Sequence, residues 1–270
     1  MHRPPPFVAR LARVSLLVAV AASLAACELM QAPASPIASR RVASPQPTTA
    51  GPLATDEVPT IRPIPSGGVD LIGAADALAD LDSYRVSVVS RGLVPTSSPD
   101  GRVSMTSTLV QGDHPAAALT MSGVDGFEGL GSGLFHAIVI GDEAWLRSGS
   151  GGWAKSPGGA ADFDAVFTTL SPSELVGGFE ALGPAFVRVG PESKNGRATT
   201  HYRADAADPV ASAGGLTSGG VDVWLASSGG ALISIAADGT VDVDGTGTPV
   251  TLAIDVTHIN DPANKVRPPA

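Results

Sequence analysis

Cys27 is the one thiol in a chain of 270 residues, and it closes the run Ser23-Leu24-Ala25-Ala26-Cys27. A lone thiol forms neither an internal disulfide nor the cysteine pairs of a zinc site, so its position carries its meaning. The other groups able to do chemistry are scattered. His114, His136, His201 and His258 are well separated and none stands in His-x-x-x-His spacing, so no metal site is expected. Glu128, Asp142, Glu143 and Asp164 could supply a carboxylate pair, but spacing alone selects none. No Gly-x-Ser-x-Gly nucleophile elbow occurs. Gly129-Leu130-Gly131-Ser132-Gly133 lacks a following lysine and a surrounding βαβ unit, so it reads as a flexible loop and not a phosphate cradle. Asp242-Val243-Asp244-Gly245 has the spacing of part of a calcium loop, but Thr240 and Thr251 fall where two ligands belong, which leaves a hairpin turn. The expectation is a protein without catalysis, metal or cofactor.

The environment of Cys27 is that of an address. Met1 to Arg13 carries Arg3, Arg10 and Arg13 and no acid, and Val14 to Ala22 is a nine-residue stretch that is apolar except for Ser15. A basic start, a short apolar stretch and a small-residue cleavage site define a secretory signal. Nine residues span only about 14 Å as a helix, less than half of a ~30 Å hydrocarbon core, so no permanent membrane span is expected there. Leu24-Ala25-Ala26-Cys27 resembles the bacterial lipobox. The resemblance implies that the thiol is alkylated with diacylglyceryl and that cleavage makes it the first residue of the mature chain. Residues 1–26 are thus the signal peptide, and the mature protein is extracytoplasmic and lipid-anchored to the outer face of the membrane. Losing three of the 17 basic groups against 26 acidic ones lowers the net charge from −9 to −12. A surface of that sign repels phosphate backbones, so nucleic acid is excluded as a partner.

Residues 27–68 read as a tether. Eight prolines fall between Glu28 and Gly68 among Ala, Ser and Thr, with no aromatic residue and no apolar period. Such a segment buries too little apolar area to offset its ordering entropy.

From Val69 the pattern changes, and residues 69–270 read as one domain. Leu71, Ala74, Ala75, Leu78 and Leu81 share one helical face. Alternation follows: Tyr84, Val86 and Val88; Val103, Met105 and Leu109; Val221, Val223 and Leu225; Val250, Leu252, Ile254 and Val256. Further strands are expected over 116–122, 134–140, 143–147, 186–190, 197–204, 231–236 and 241–244. Gly141-Asp142, Asn195-Gly196 and Asp238-Gly239 are turn signals between them. One apolar and one wet face per strand favours an antiparallel sheet. With 32 glycines and 23 prolines a helical bundle is excluded. Phe163, Val166, Phe167 and Leu170 stand at helical spacing. Ser171-Pro172-Ser173-Glu174 then offers an N-cap, a proline at the first helical position and a capping acid, ahead of Leu175, Phe179 and Leu182. The fold class expected is α+β: a curved antiparallel sheet, a half β-barrel, whose concave face is covered by short helices.

The lipobox, the tether and the opening helix running into Asp82-Ser83-Tyr84-Arg85-Val86-Ser87-Val88-Val89 resemble the LppX/LprAFG family of bacterial lipoproteins. So do Ile140 to Leu146 with Gly152-Trp153, Gly196 to Arg203, Val221 to Leu225 and the closing Val256 to Pro269, over residues 70–269 in all. The resemblance implies a LolA/LolB-like half β-barrel that binds acylated lipids or lipoglycans and helps move them through the cell envelope, with an envelope transporter as partner. Acyl chains would then lie between the concave face and the helices. The lining candidates are Val86, Val88, Met105, Leu109, Met121, Ile138, Phe163, Phe167, Leu175 and Phe179. Two other readings stay open. One is the same fold with a filled core, acting as a non-catalytic interaction or sensor module of the envelope, which a void under about 300 Å³ would favour. The other is an envelope hydrolase with a dispersed carboxylate site.

Overall fold

The structure, a computed structural model, describes residues 68–92, 98, 100–123, 134–213, 216–243 and 246–270. Cys27, the signal peptide and residues 27–67 of the tether lie outside the described residues, as do Glu128, the glycine loop 129–133 and Asp244-Gly245.

Eleven strands form one antiparallel sheet: β1 (Ser83–Arg91), β2 (Arg102–Val110), β3 (Ala116–Ser122), β4 (Leu134–Ile140), β5 (Glu143–Ser148), β6 (Ala154–Lys155), β7 (Val187–Lys194), β8 (Arg197–Asp205), β9 (Leu216–Ala226), β10 (Leu232–Val243) and β11 (Thr246–Thr257). Their order is β6-β5-β4-β3-β2-β1-β11-β10-β9-β8-β7. Every neighbour is also a neighbour in sequence except at the centre, where β1 pairs with β11 from Arg85↔Thr257 to Arg91↔Thr251. β6 and β7 are the two edges and do not pair, so the sheet is open, a half-barrel.

The chain between those edges must travel from one side of the sheet to the other, and this journey places the helices. It contains a 3₁₀ turn (Gly159–Phe163), a 3₁₀ segment (Glu180–Ala185) and two short helices; counting Leu71–Ala79 as α1, these are α2 (Asp164–Thr169) and α3 (Pro172–Gly177). A last helix, α4 (Pro209–Ala213), joins β8 to β9. α1 buries Leu71, Ala74, Ala75 and Leu78, the expected stripe, and its cap Asp70 accepts from the Gly73 amide at 2.8 Å. α3 begins as its sequence predicts: the Ser171 hydroxyl accepts from the Glu174 amide and Pro172 occupies the first turn. It ends sooner than the Leu175, Phe179, Leu182 spacing implies. Gly177 and Gly178 favour termination and Pro184 bars continuation, so Leu182 sits in the 3₁₀ segment. All three side chains are buried nonetheless.

Two strand expectations need correction. Residues 231–236 and 241–244 are not separate strands, because β10 runs unbroken from Leu232 to Val243 through Asp238-Gly239. Gly239 serves a close approach and not a turn. A Cβ there would stand 2.0 Å from the Ser218 carbonyl oxygen, and one on the paired Gly219 would stand 1.9 Å from that of Asp238. The register shift at Thr240/Val241 follows directly, as expected where strands bend sharply. At Asn195-Gly196 and Gly141 the turns form as read, with positive φ at all three residues.

The core is divided. The larger cluster joins α1, α3 and the 3₁₀ segment to β1 and β8–β11, around Tyr84, Leu182, Phe186, Leu232 and Ile235. The smaller joins β2–β5 to the 3₁₀ turn and to Leu170, around Leu119, Phe135, Ala137, Ala144 and Phe163. They meet along β2. There Ser107, paired with Val86 on one side and Leu119 on the other, carries a buried hydroxyl with no partner among the described residues.

Candidate functional site

A cleft of about 490 Å³ opens between the two clusters. Its floor is one row of the sheet, Leu109, Ala117 and Val139, which stand opposite one another across β2, β3 and β4. Ala79 and Tyr84 contribute from the larger cluster's side, Phe167 and Leu170 from the smaller's. Half-buried Gln111 with exposed Gly112 and Asp164 marks the open side. The site is therefore an apolar trough with a few polar groups, and its size lies within the roughly 300–1,000 Å³ range of small-molecule sites. Nothing in it resembles a nucleophile and its base. Among the described residues, no three His, Cys, Asp or Glu side chains gather where they could hold a metal ion.

Tyr84 links the cleft to stability. Burial pushes its phenol up to about 12, opposed in part by a hydrogen bond to the Gln111 side chain. The neutral phenol is thus favoured by folding, and its contribution is fully present below pH 10, the ordinary value. That contribution is lost as pH rises from about 10 to about 12. Chemical denaturation across this window should show stability falling, with a shallower fall in Tyr84→Phe. An equal fall in that variant would remove Tyr84 as its source.

The ten expected lining residues divide four ways. Leu109 and Phe167 line the cleft. Val86, Leu175 and Phe179 are buried in the larger cluster, with Val88 half-buried against it. Met121 and Phe163 are buried in the smaller cluster, with Met105 half-buried against it. Ile138 is a correction: it shares the parity of His136, pairs with Ala118 and Trp145, and lies on the face away from the helices. In Leu134–Ile140 both parities are partly apolar, and packing selects Phe135, Ala137 and Val139 for the core side. Tyr84, Ala117, Val139 and Leu170 are lining residues that the candidate set lacked. Tyr84 carried a usable signal, standing in phase with Val86 and Val88.

The fold is similar to that of two mycobacterial proteins. The crystal structure of LprF from Mycobacterium bovis aligns at 16% identity and TM-score 0.47, covering 74% of this chain and 95% of that one. That of the lipoprotein LppX from Mycobacterium tuberculosis aligns at 18% identity and TM-score 0.39, covering 71% and 93%. A LolA superfamily protein from Nitrosomonas europaea aligns at 12% identity and TM-score 0.22, over 74% and 93%. No protein-family model and no curated protein matches the chain.

On the outer face of β7–β9 a polar cluster satisfies itself. The His201 ring meets Asp222 at 2.7 Å through Nε2 and Glu192 at 3.2 Å through Nδ1, and stacks on Trp224 with centroids 4.6 Å apart. Asp222 also accepts from Arg203 Nη1 at 2.6 Å, and the Trp224 indole donates to Glu192 at 3.0 Å. The carboxylates and cations are consumed by one another, which makes this a clamp across three strands. Asp222→Ala orphans both His201 Nε2 and Arg203 Nη1. It should lower stability by about 2 kcal/mol in urea denaturation, and an unchanged midpoint would show that the clamp contributes nothing.

Proposed function

We propose that the protein is a lipid-anchored, extracytoplasmic carrier that binds an acylated lipid or lipoglycan in the cleft between its two core clusters. Residues 1–26 direct export, Cys27 bears the diacylglyceryl anchor, residues 27–68 hold the domain away from the bilayer, and residues 69–270 bind the ligand. The observation that carries this reading is the division of the apolar core, with a trough of about 490 Å³ along the seam. A filled core would have left this seam closed, which is the outcome the interaction-module reading needs. Each methylene moved out of water is worth ~0.8 kcal/mol, in the protein as in a bilayer, so a trough that receives acyl chains competes with the membrane for them. The gain is matched on both sides, and the ligand can be handed on to an envelope transporter. No step in this role breaks a covalent bond.

The test is direct. The chain with Cys27→Ser is purified from its native host without detergent, and its organic extract is examined by mass spectrometry beside uptake of a fluorescent fatty acid. Recovery of one class of acylated lipid supports the proposal. Absence of any lipid together with no uptake removes it.

A further inference from the structure

The outer face of β3–β5 holds a second polar cluster, and unlike the clamp around His201 it is incomplete. His136 and Arg147 are opposite one another across the β4–β5 pair. Trp153, which follows the run Gly149-Ser150-Gly151-Gly152, folds over both: its ring lies 4.9 Å from the Arg147 guanidinium carbon and 6.2 Å from the His136 ring centroid. Thr120 on β3 meets His136 Nδ1 at 3.0 Å. Beneath the indole, Arg147 Nε and His136 Nε2 are buried and have no hydrogen-bond partner among the described residues. His136 Nε2, on the ring whose other nitrogen meets Thr120, and the Arg147 Nε–H donor are therefore both orphaned. An unmet buried donor is costly, the more so when charged, so this arrangement is stabilised by an acceptor that the described residues do not provide. Other outer-face cations differ: Arg203 is held by Asp205 and Asp222, and Lys155 by Glu143.

We propose that Arg147, His136 and Trp153 form an oxyanion-binding site that takes a phosphate group from outside the chain. The guanidinium provides charge and a planar fork of donors, His136 a second point of contact, and the indole a cover that excludes water and strengthens both. Burial, and then the charge of Arg147, hold the His136 pKa below its ordinary value, so the standing charge of the site is that of Arg147. The glycines before Trp153 let the indole swing out to admit the group. Cβ atoms at Gly149 and Gly152 would meet nothing within 4 Å. The site lies on the face opposite the cleft and does not depend on the lipid-carrier reading.

Inorganic phosphate is the first probe. It is titrated at constant ionic strength into the full chain in neutral detergent, while the Arg147 Nε–H resonance and tryptophan emission are followed. Trp153→Phe identifies the emission that belongs to the site. A saturable shift at Nε–H is expected, with affinity about tenfold weaker in Arg147→Lys, which keeps the charge and loses the fork, and unchanged in Lys155→Gln. No saturable shift in the unsubstituted chain, or equal affinity in Arg147→Lys, overturns the proposal. The first of these outcomes needs no variant to fold. A second arm identifies the source. Flotation of the Cys27→Ser chain with phosphatidylcholine vesicles is compared with and without phosphatidylglycerol. Flotation that depends on phosphatidylglycerol and on Arg147 assigns a lipid headgroup. A phosphate shift without it assigns a free oxyanion.

Discussion

Ala117→Trp is expected to abolish lipid uptake while leaving the chain folded. Ala117 occupies the middle of the cleft floor, between Leu109 and Val139, and its Cβ points towards the helices. An indole built there projects into open volume and not into packed core, so overpacking, which ordinarily costs 1–3 kcal/mol, is avoided. The added ring buries its own apolar surface against Phe167 and Leu170, so the denaturation midpoint should hold or rise. Uptake of a fluorescent fatty acid should fall at least tenfold, because the acyl chain and the indole require the same space. Ile138→Ala is the matched control: Ile138 lies on the other face, and uptake should not change. Retained uptake in Ala117→Trp would place the ligand elsewhere on the domain.

Cys27→Ser is expected to move nearly all of the protein from the membrane to the soluble fraction, with loss of labelled palmitate from the chain. Oxygen in place of sulfur removes the nucleophile that the anchoring chemistry needs. The size of the effect follows from acyl burial. One chain gives only marginal, reversible binding at about 10⁴ M⁻¹, whereas the two chains of a diacylglyceryl group anchor stably. Among the described residues no helix is long and apolar enough to cross a membrane. Fractionation followed by immunoblotting reads the result. Full retention in the membrane fraction after a salt wash would overturn the assignment of Cys27 as the anchor.

Much of the sheet was legible because alternation is a local property. β3 and β4 have the bounds expected, and the rows through Val86, Leu119 and Ile254 face the helices as the period of two requires. The start of α3 was equally local, since its cap, proline and acid are consecutive. Errors arose where one residue type serves two purposes. Asp238-Gly239 has the composition of a hairpin turn, yet Gly239 is required by the close passage of Ser218 and Gly219 on the next strand, a contact invisible from either segment alone. Ile138 belongs to a segment that is apolar on both parities, and only the smaller core cluster distinguishes them.

The candidate site was legible in kind and not in place. Apolar residues at helical spacing between 163 and 182 announced a cover for the sheet. Of the ten residues expected to line a cavity, Leu109 and Phe167 stand in this cleft, and the others lie in or against the two core clusters or, as Ile138 does, on the other face. Period and propensity report which side of an element is apolar. They carry no information on whether two apolar sides touch or stand apart, because that distance depends on how the segment from β6 to β7 crosses the sheet.

The amino-acid sequence by itself therefore determined the strands, their inward parity at most positions, the helix caps, and the expectation of an exported chain anchored at Cys27, since each depends on residues within a few positions of one another. Tertiary structure alone decided the pairing of β1 with β11, the division of the core along β2, the row Leu109, Ala117 and Val139 beneath the cleft, and the approach of Trp153 to His136 and Arg147. Those are contacts between segments, and their geometry is set by packing the whole sheet against its helices.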